Sequence, residues 1–173
     1  MAQHPMTTGN VFLDQMAMMS AFGNTVHSVN PEQAKLYTRL MLEEVEETMI
    51  ALYPAGEKVI KELFRTLKDF IVVDENSDLV AAFDGVTDVL VVTLGLGFSL
   101  GLPLQQGWNE VHGTNMAKVD PETGMVRRRE DGKVLKPEGW EPPNLEAVLI
   151  RLGMQRTIPT PVAQVEGEAN GSV

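Results

Sequence analysis

Apolar residues recur every three or four positions along most of this chain, which is the signature of helices packed through one face. Phe12, Met16, Met19 and Phe22 mark a first helix from Asn10 to Phe22, and Gly23 ends it. Asn30 is a good N-cap, Pro31 suits the first helical position and Gln33 completes a capping-box-like pattern, so a second helix runs from Pro31 to about Tyr53, where Pro54 stops it. Val59, Leu63, Leu67 and Phe70 or Ile71 give the apolar side of a third helix, Glu57 to Ile71. Asp74 to Asp78 is a polar loop whose last residue, or Ser77, caps a fourth helix from Leu79 to about Leu100, closed by Gly101. The β-branched run Val89 to Thr93 is compatible with a strand, but the segment is too long for one strand and carries no turn signal.

Pro103 opens a fifth helix, to about Ala117. The pattern then changes. Met125 to Leu135 reads as a short hairpin or ordered turn, and Pro142-Pro143-Asn144 precedes a last short helix, Leu145 to Leu152. The expected class is all-α, one domain over residues 10–152, with an irregular or hairpin appendage near residues 120–140 and flexible termini at 1–9 and 157–173.

The remaining composition narrows the chemistry. The 173 residues include no Cys, which removes disulfides, thiolate metal sites and a Cys nucleophile. A formal charge of -10 repels nucleic-acid polymers, anionic membranes and polyanionic substrates, unless a cation or a local basic cluster draws them in. The first residues lack a basic segment followed by an apolar run, and Val89 to Leu102 is shorter than the roughly 18–20 apolar residues that span a bilayer. A cytoplasmic protein with no membrane partner is expected.

Four carboxylates fall where a helical core should not hold them. At about 100° per residue, Leu36, Leu40 and Ala51 share a narrow face of the second helix, and Glu44 and Glu47 project onto it. Glu43 and Glu46 project elsewhere, near Arg39. The fourth helix is apolar or small nearly all round, so it is expected to be buried nearly all round, yet Asp84 and Asp88 stand four apart on one of its faces. Burying unpaired carboxylates costs several kcal/mol each. A solvated acidic face is the ordinary explanation of Glu-rich helices, but it does not suit the fourth helix. A hard divalent cation with oxygen ligands, Mg²⁺ or Mn²⁺, resolves the conflict.

Leu42-Glu43-Glu44-Val45-Glu46-Glu47 followed by Asp84-Gly85-Val86-Thr87-Asp88-Val89-Leu90 resembles the MazG-like, all-α nucleotide pyrophosphohydrolases, relatives of phosphoribosyl-ATP pyrophosphohydrolase and the dimeric dUTPases. Trp108 to Lys118, with Asn115-Met116-Ala117-Lys118, and Arg129 to Lys136 are similar to later segments of that superfamily, and Phe12 to Gly23 to its first helix. The family pattern is ExxE followed by ExxD. Glu44 and Glu47 fit the first half, whereas Gly85 stands three before Asp88 and Asp84 lies one residue further back. The interval from Glu47 to Asp84 is also longer than usual.

The resemblance implies cleavage of a nucleoside triphosphate (NTP or dNTP) to monophosphate and pyrophosphate, with phosphoribosyl-ATP as the alternative substrate. It implies metal ligation by Glu44, Glu47, Asp84 and Asp88, a general base at Glu44 or Glu47, phosphate contacts from Asn115 and Lys118, and a bundle built from two or more subunits. A homodimer or homotetramer is therefore expected, with Gly95 and Gly97 permitting close helix approach. Arg127, Arg128 and Arg129 are either a solvated turn or a flap, with Arg129 charging the leaving pyrophosphate. Trp108 and His112, one turn apart, either stack on a base or serve a core or interface. A di-iron carboxylate bundle is excluded because no His follows a Glu at the required spacing. Asp74 to Asp78 opens like a calcium loop but lacks its Gly and final Glu. The rival from another class is a non-catalytic helical module for oligomerisation or binding.

Overall fold

The structure, a computed structural model, describes residues 7–71, 77–130, 133–155 and 157. Six α-helices follow one another: α1 (Val11–Ala21), α2 (Pro31–Leu52), α3 (Glu57–Asp69), α4 (Leu79–Ser99), α5 (Leu104–Met116) and α6 (Leu145–Arg151), with a 3-10 turn at Pro54–Gly56. No strand longer than an isolated bridge occurs among the described residues, so the class is all-α as expected. The Asp74–Asn76 part of the polar loop lies outside the described residues, as do residues 1–6 and 158–173 of the termini.

The start signals act as the sequence requires. The Asn10 side chain accepts from Phe12 N and Leu13 N at 3.0 and 3.3 Å, and the Asp78 side chain accepts from Val80 N and Ala81 N at 2.9 and 3.1 Å. Gly23 and Gly101 take the left-handed conformation that ends α1 and α4 (φ 71° and 70°). Asn30 accepts from Gln33 N at 3.1 Å, but Gln33 does not return the bond that a capping box requires. Its side chain instead pins the preceding loop, accepting from Thr25 N (2.7 Å) and donating to Thr25 O (2.8 Å). The Thr25 backbone offers this amide a donor and an acceptor together, against the one donor a box would supply.

Packing falls into two groups. The long α2 lies along α3, and α1 and α6 both pack on α5; α4 is joined to the rest through α5. The apolar face of α3 differs from the expected one by one residue. Ile60 and Phe64 are buried, while Val59, Leu63 and Phe70 are exposed. The two stripes are adjacent on the helix, and the one that meets α2 is the one that becomes core.

The larger correction concerns α4. Its apolar surface is exposed along nearly the whole length (Val91 is 60% accessible), and Gly97 is its one buried residue. The reason is topological: among the described helices α4 packs only on α5, where a Cβ on Gly97 would stand 2.7 Å from Leu104 Cδ2. The close approach expected of Gly97 is thus made within one chain, and Gly95 faces open space. The length argument against a membrane also changes. An 18-residue window of α4 has a mean hydropathy of 1.9, so by length and composition the helix is long and apolar enough to cross a bilayer. Asp88 at its middle opposes that, since an aspartate at the centre of a span costs roughly 2.5–3.5 kcal/mol.

Candidate functional site

The acidic residues of α2 divide differently from the helical-wheel expectation. Glu46 is the half-buried one, and it pairs with Lys68 of α3 at 2.7 Å rather than with Arg39. Glu43, Glu46 and Glu47 flank an open groove between α2 and α3 that also receives Ile50, Lys61 and Lys68. Glu44 and Glu47 are exposed, as are Leu36 and Leu40 beside them. The face expected to point into a core is open in the single chain, because α3 covers the neighbouring face. Asp84 and Asp88 are also exposed, on the uncovered surface of α4. Helices α2 and α4 do not pack on one another, and no three acidic or His side chains converge into a metal-sized group among the described residues. The fold therefore displays two carboxylate pairs on two open faces without joining them inside one chain.

Asn115 and Lys118, at the end of α5, do come together. Lys118 Nζ donates to Asn115 Oδ1 at 2.8 Å and stands 5.1 Å from the centre of the Trp140 ring. Lys136 Nζ lies over the same ring at 4.1 Å. The Trp140 indole donates to Thr114 O at 2.9 Å, which fastens the appendage to α5. Burial, and then the charge of Lys136, push the Lys118 ammonium below its usual pKa.

The appendage is a hairpin-like turn. Arg129 N donates to Lys133 O (2.8 Å) and Leu135 N to Arg127 O (2.8 Å), with Val119–Val126 and Arg128–Val134 as antiparallel bridges. Its tip, Asp131-Gly132, lies outside the described residues. The three arginines part company here. Arg127 reaches Asp120 at 3.9 Å, Arg128 donates to Phe22 O at the end of α1, and Arg129 is exposed on the turn.

Trp108 and His112 stack on each other with ring centres 5.9 Å apart and planes 8° from parallel. His112 is buried at 5% accessibility, and Trp108 Nε1 donates to Asp14 Oδ2 at 3.1 Å. Their role within the described chain is core. Asp14, which the sequence pattern did not single out, is the most buried side chain among the described residues, at 2% accessibility. It also accepts from Thr8 N (2.7 Å) and Thr8 Oγ1 (2.8 Å), so Thr8 is tied to α1. Burial would raise the Asp14 pKa. The Thr8 and Trp108 hydrogen bonds and the charge of His112 outweigh it and hold the carboxyl below its ordinary value. A lone acid in a mostly apolar helix was the available signal. Lys136 and Trp140 were also missed as partners of Lys118. Their meeting depends on how the appendage returns to α5, which periodicity does not reveal.

Comparison with known proteins gives the chain's relatives. Among curated proteins none matches the chain. The crystal structure of a candidate NTP pyrophosphohydrolase from Exiguobacterium sp. 255-15 is 26% identical and superposes with a TM-score of 0.54, covering 83% of this chain and 96% of that one. The family model for phosphoribosyl-ATP pyrophosphohydrolase matches residues 16–115, from α1 through α5, and so contains both carboxylate pairs and Asn115. The chain belongs to the phosphoribosyl-ATP pyrophosphohydrolase family.

Proposed function

We propose that the protein hydrolyses a nucleoside triphosphate, NTP or dNTP, to nucleoside monophosphate and pyrophosphate with a divalent cation, and that it works as a homodimer or homotetramer. Membership of a pyrophosphohydrolase family supports the reaction type. The observation that carries the finer reading is the pair of open faces: Glu44 and Glu47 beside exposed Leu36 and Leu40 on α2, and Asp84 and Asp88 on an uncovered apolar helix. An exposed apolar surface this long requires cover. A second copy of the chain supplies cover of the right chemistry for both faces, and its closure brings carboxylates toward one another. The donor set consists of hard oxygens only, which fits Mg²⁺ or Mn²⁺.

Glu44, Glu47, Asp84 and Asp88 would hold the ion. When bound it offsets their repulsion toward a polyphosphate and polarises the phosphoryl group. The chain's own residues do the rest. Glu44 or Glu47 accepts a proton from the attacking water. Asn115 and Lys118 hold phosphate oxygens, and Arg129 supplies charge to the departing pyrophosphate. The test is cation-dependent pyrophosphate release over a panel of NTPs and dNTPs, extended to phosphoribosyl-ATP, the substrate named by the matching family. Release by the wild type, and none by Glu47→Gln or Asp88→Asn, supports the proposal. A folded protein that turns over nothing on the panel would be a non-catalytic helical module instead.

A further inference from the structure

Two lysines share one indole ring at the end of α5. The ammonium groups of Lys118 and Lys136 lie 5.1 and 4.1 Å from the centre of Trp140, and neither makes an ion pair with a carboxylate among the described residues. This is unusual in a chain with ten more acidic than basic side chains. The arrangement carries a cost, because like charges repel and Lys118 is half-buried, which is why its proton is held less tightly than usual. The indole face attracts both cations and keeps them in place. Trp140 is itself fixed, through its bond to Thr114 O, and the Asn144 N–H bond to Glu110 Oε1 holds the following segment to α5. Asn115 Oδ1 accepts from Lys118, which sets that lysine's direction and leaves the amide Nδ2 as a further donor.

A multivalent anion lying against both ammoniums would remove their mutual repulsion, the uncompensated charge and the unused donor together. Both ammoniums stand within about one ring's breadth of the same indole, and an oligophosphate chain is long enough to reach around its edge. The family model ends at residue 115, and the resemblance that assigns phosphate contacts to Asn115 and Lys118 assigns none to Lys136 or Trp140.

We propose that Lys136 joins Lys118 and Asn115, the phosphate ligands of the proposed function, to make an oligophosphate clamp, with Trp140 as the positioning residue that holds both lysines. The clamp deepens the hydrolase reading, and rests on it for its biological use, by placing the di- or triphosphate chain of the substrate at this end of α5. Nucleoside monophosphate, shorter and less charged, is expected to gain less from the second lysine.

The experiment is titration of the full-length protein with inorganic pyrophosphate, inorganic triphosphate and AMP in EDTA, followed by calorimetry and tryptophan fluorescence. Removing the divalent cation separates this site from the carboxylates. The wild type is expected to bind pyrophosphate and triphosphate, with a change in fluorescence that disappears in Trp140→Phe, and to bind AMP far more weakly. Lys136→Met is expected to weaken pyrophosphate binding about 10-fold or more, as loss of a charge-assisted contact does. Lys136→Arg retains it, and circular dichroism stays that of the wild type in both. Equal affinity in Lys136→Met, or a fluorescence change that persists in Trp140→Phe, overturns the clamp. NTP hydrolysis with unchanged KM in Lys136→Met would overturn it while leaving the hydrolase reading intact. Pyrophosphate binding through Lys136 without hydrolysis of any nucleotide would do the reverse.

Discussion

The joint between α4 and α5 can be tested with two glycines of the same helix. Gly85 and Gly97 both lie inside α4, and replacing either by Ala gains similar helix propensity, about 1 kcal/mol. Their surroundings differ. A Cβ at Gly85 meets nothing within 4 Å, whereas one at Gly97 stands 2.7, 2.8 and 3.1 Å from Leu104 Cδ2, Cδ1 and Cγ. The whole branched end of Leu104 must move, and not merely one methyl. Overpacking of this kind costs about 1–3 kcal/mol. The propensity term cancels in the comparison, so Gly97→Ala should be less stable than Gly85→Ala by that amount. For a chain of this size each kcal/mol moves the melting temperature by about 2–4 °C, which gives a separation of about 2–12 °C in a thermal melt followed by circular dichroism. Gly85→Ala alone should melt at or above the wild type. Equal melting temperatures for the two variants would mean that α4 does not rest on Leu104, and the placement of Asp84 and Asp88 relative to α5 would have to be abandoned.

Other consequences follow from the same packing. Phe64→Ala, which empties one of the few buried apolar sites, should cost about 3–5 kcal/mol in chemical denaturation. Val91→Glu lies on an open face in the single chain and would be nearly neutral there; if a second copy covers α4, sedimentation should instead show dissociation and activity should fall. Asp14 has a depressed pKa in the folded state, so its contribution is present above its ordinary value of 3.8 and is lost as pH falls through the lower folded value. The melting-temperature advantage of the wild type over Asp14→Asn should therefore persist at neutral pH and close only in that acidic window. Thr8→Ala should reproduce part of the neutral-pH loss, because its hydroxyl donates to the same carboxylate.

The sequence carried the local structure well and the packing less well, for reasons visible in particular residues. Asn30-Pro31, Asp78 and Gly101 set helix limits through bonds made within a few residues of themselves, and those limits hold. Gln33 shows the limit of local rules: a capping-box pattern is satisfied by a loop partner, Thr25, that the pattern does not mention. The face of α3 was displaced by one residue because Val59 and Ile60 are equally apolar and only α2 decides between them. Glu44, Glu47, Asp84 and Asp88 stood out in the sequence because acids on apolar faces conflict with burial, but in the structure all four are exposed, since neither face is covered within the described chain. Asp14 and the Lys118–Trp140–Lys136 group escaped notice because each joins segments far apart in sequence.

The most direct test of the central claim is Mn²⁺ binding to the assembled protein, measured by calorimetry or electron paramagnetic resonance in the absence of nucleotide. Glu47 and Asp88 lie on helices that do not touch within the chain. The account predicts that Glu47→Gln and Asp88→Asn each weaken the same Mn²⁺ site about 10-fold or more, and that the double variant loses little beyond either one. Undiminished Mn²⁺ affinity in either variant, or additive losses from two separate sites, would contradict it.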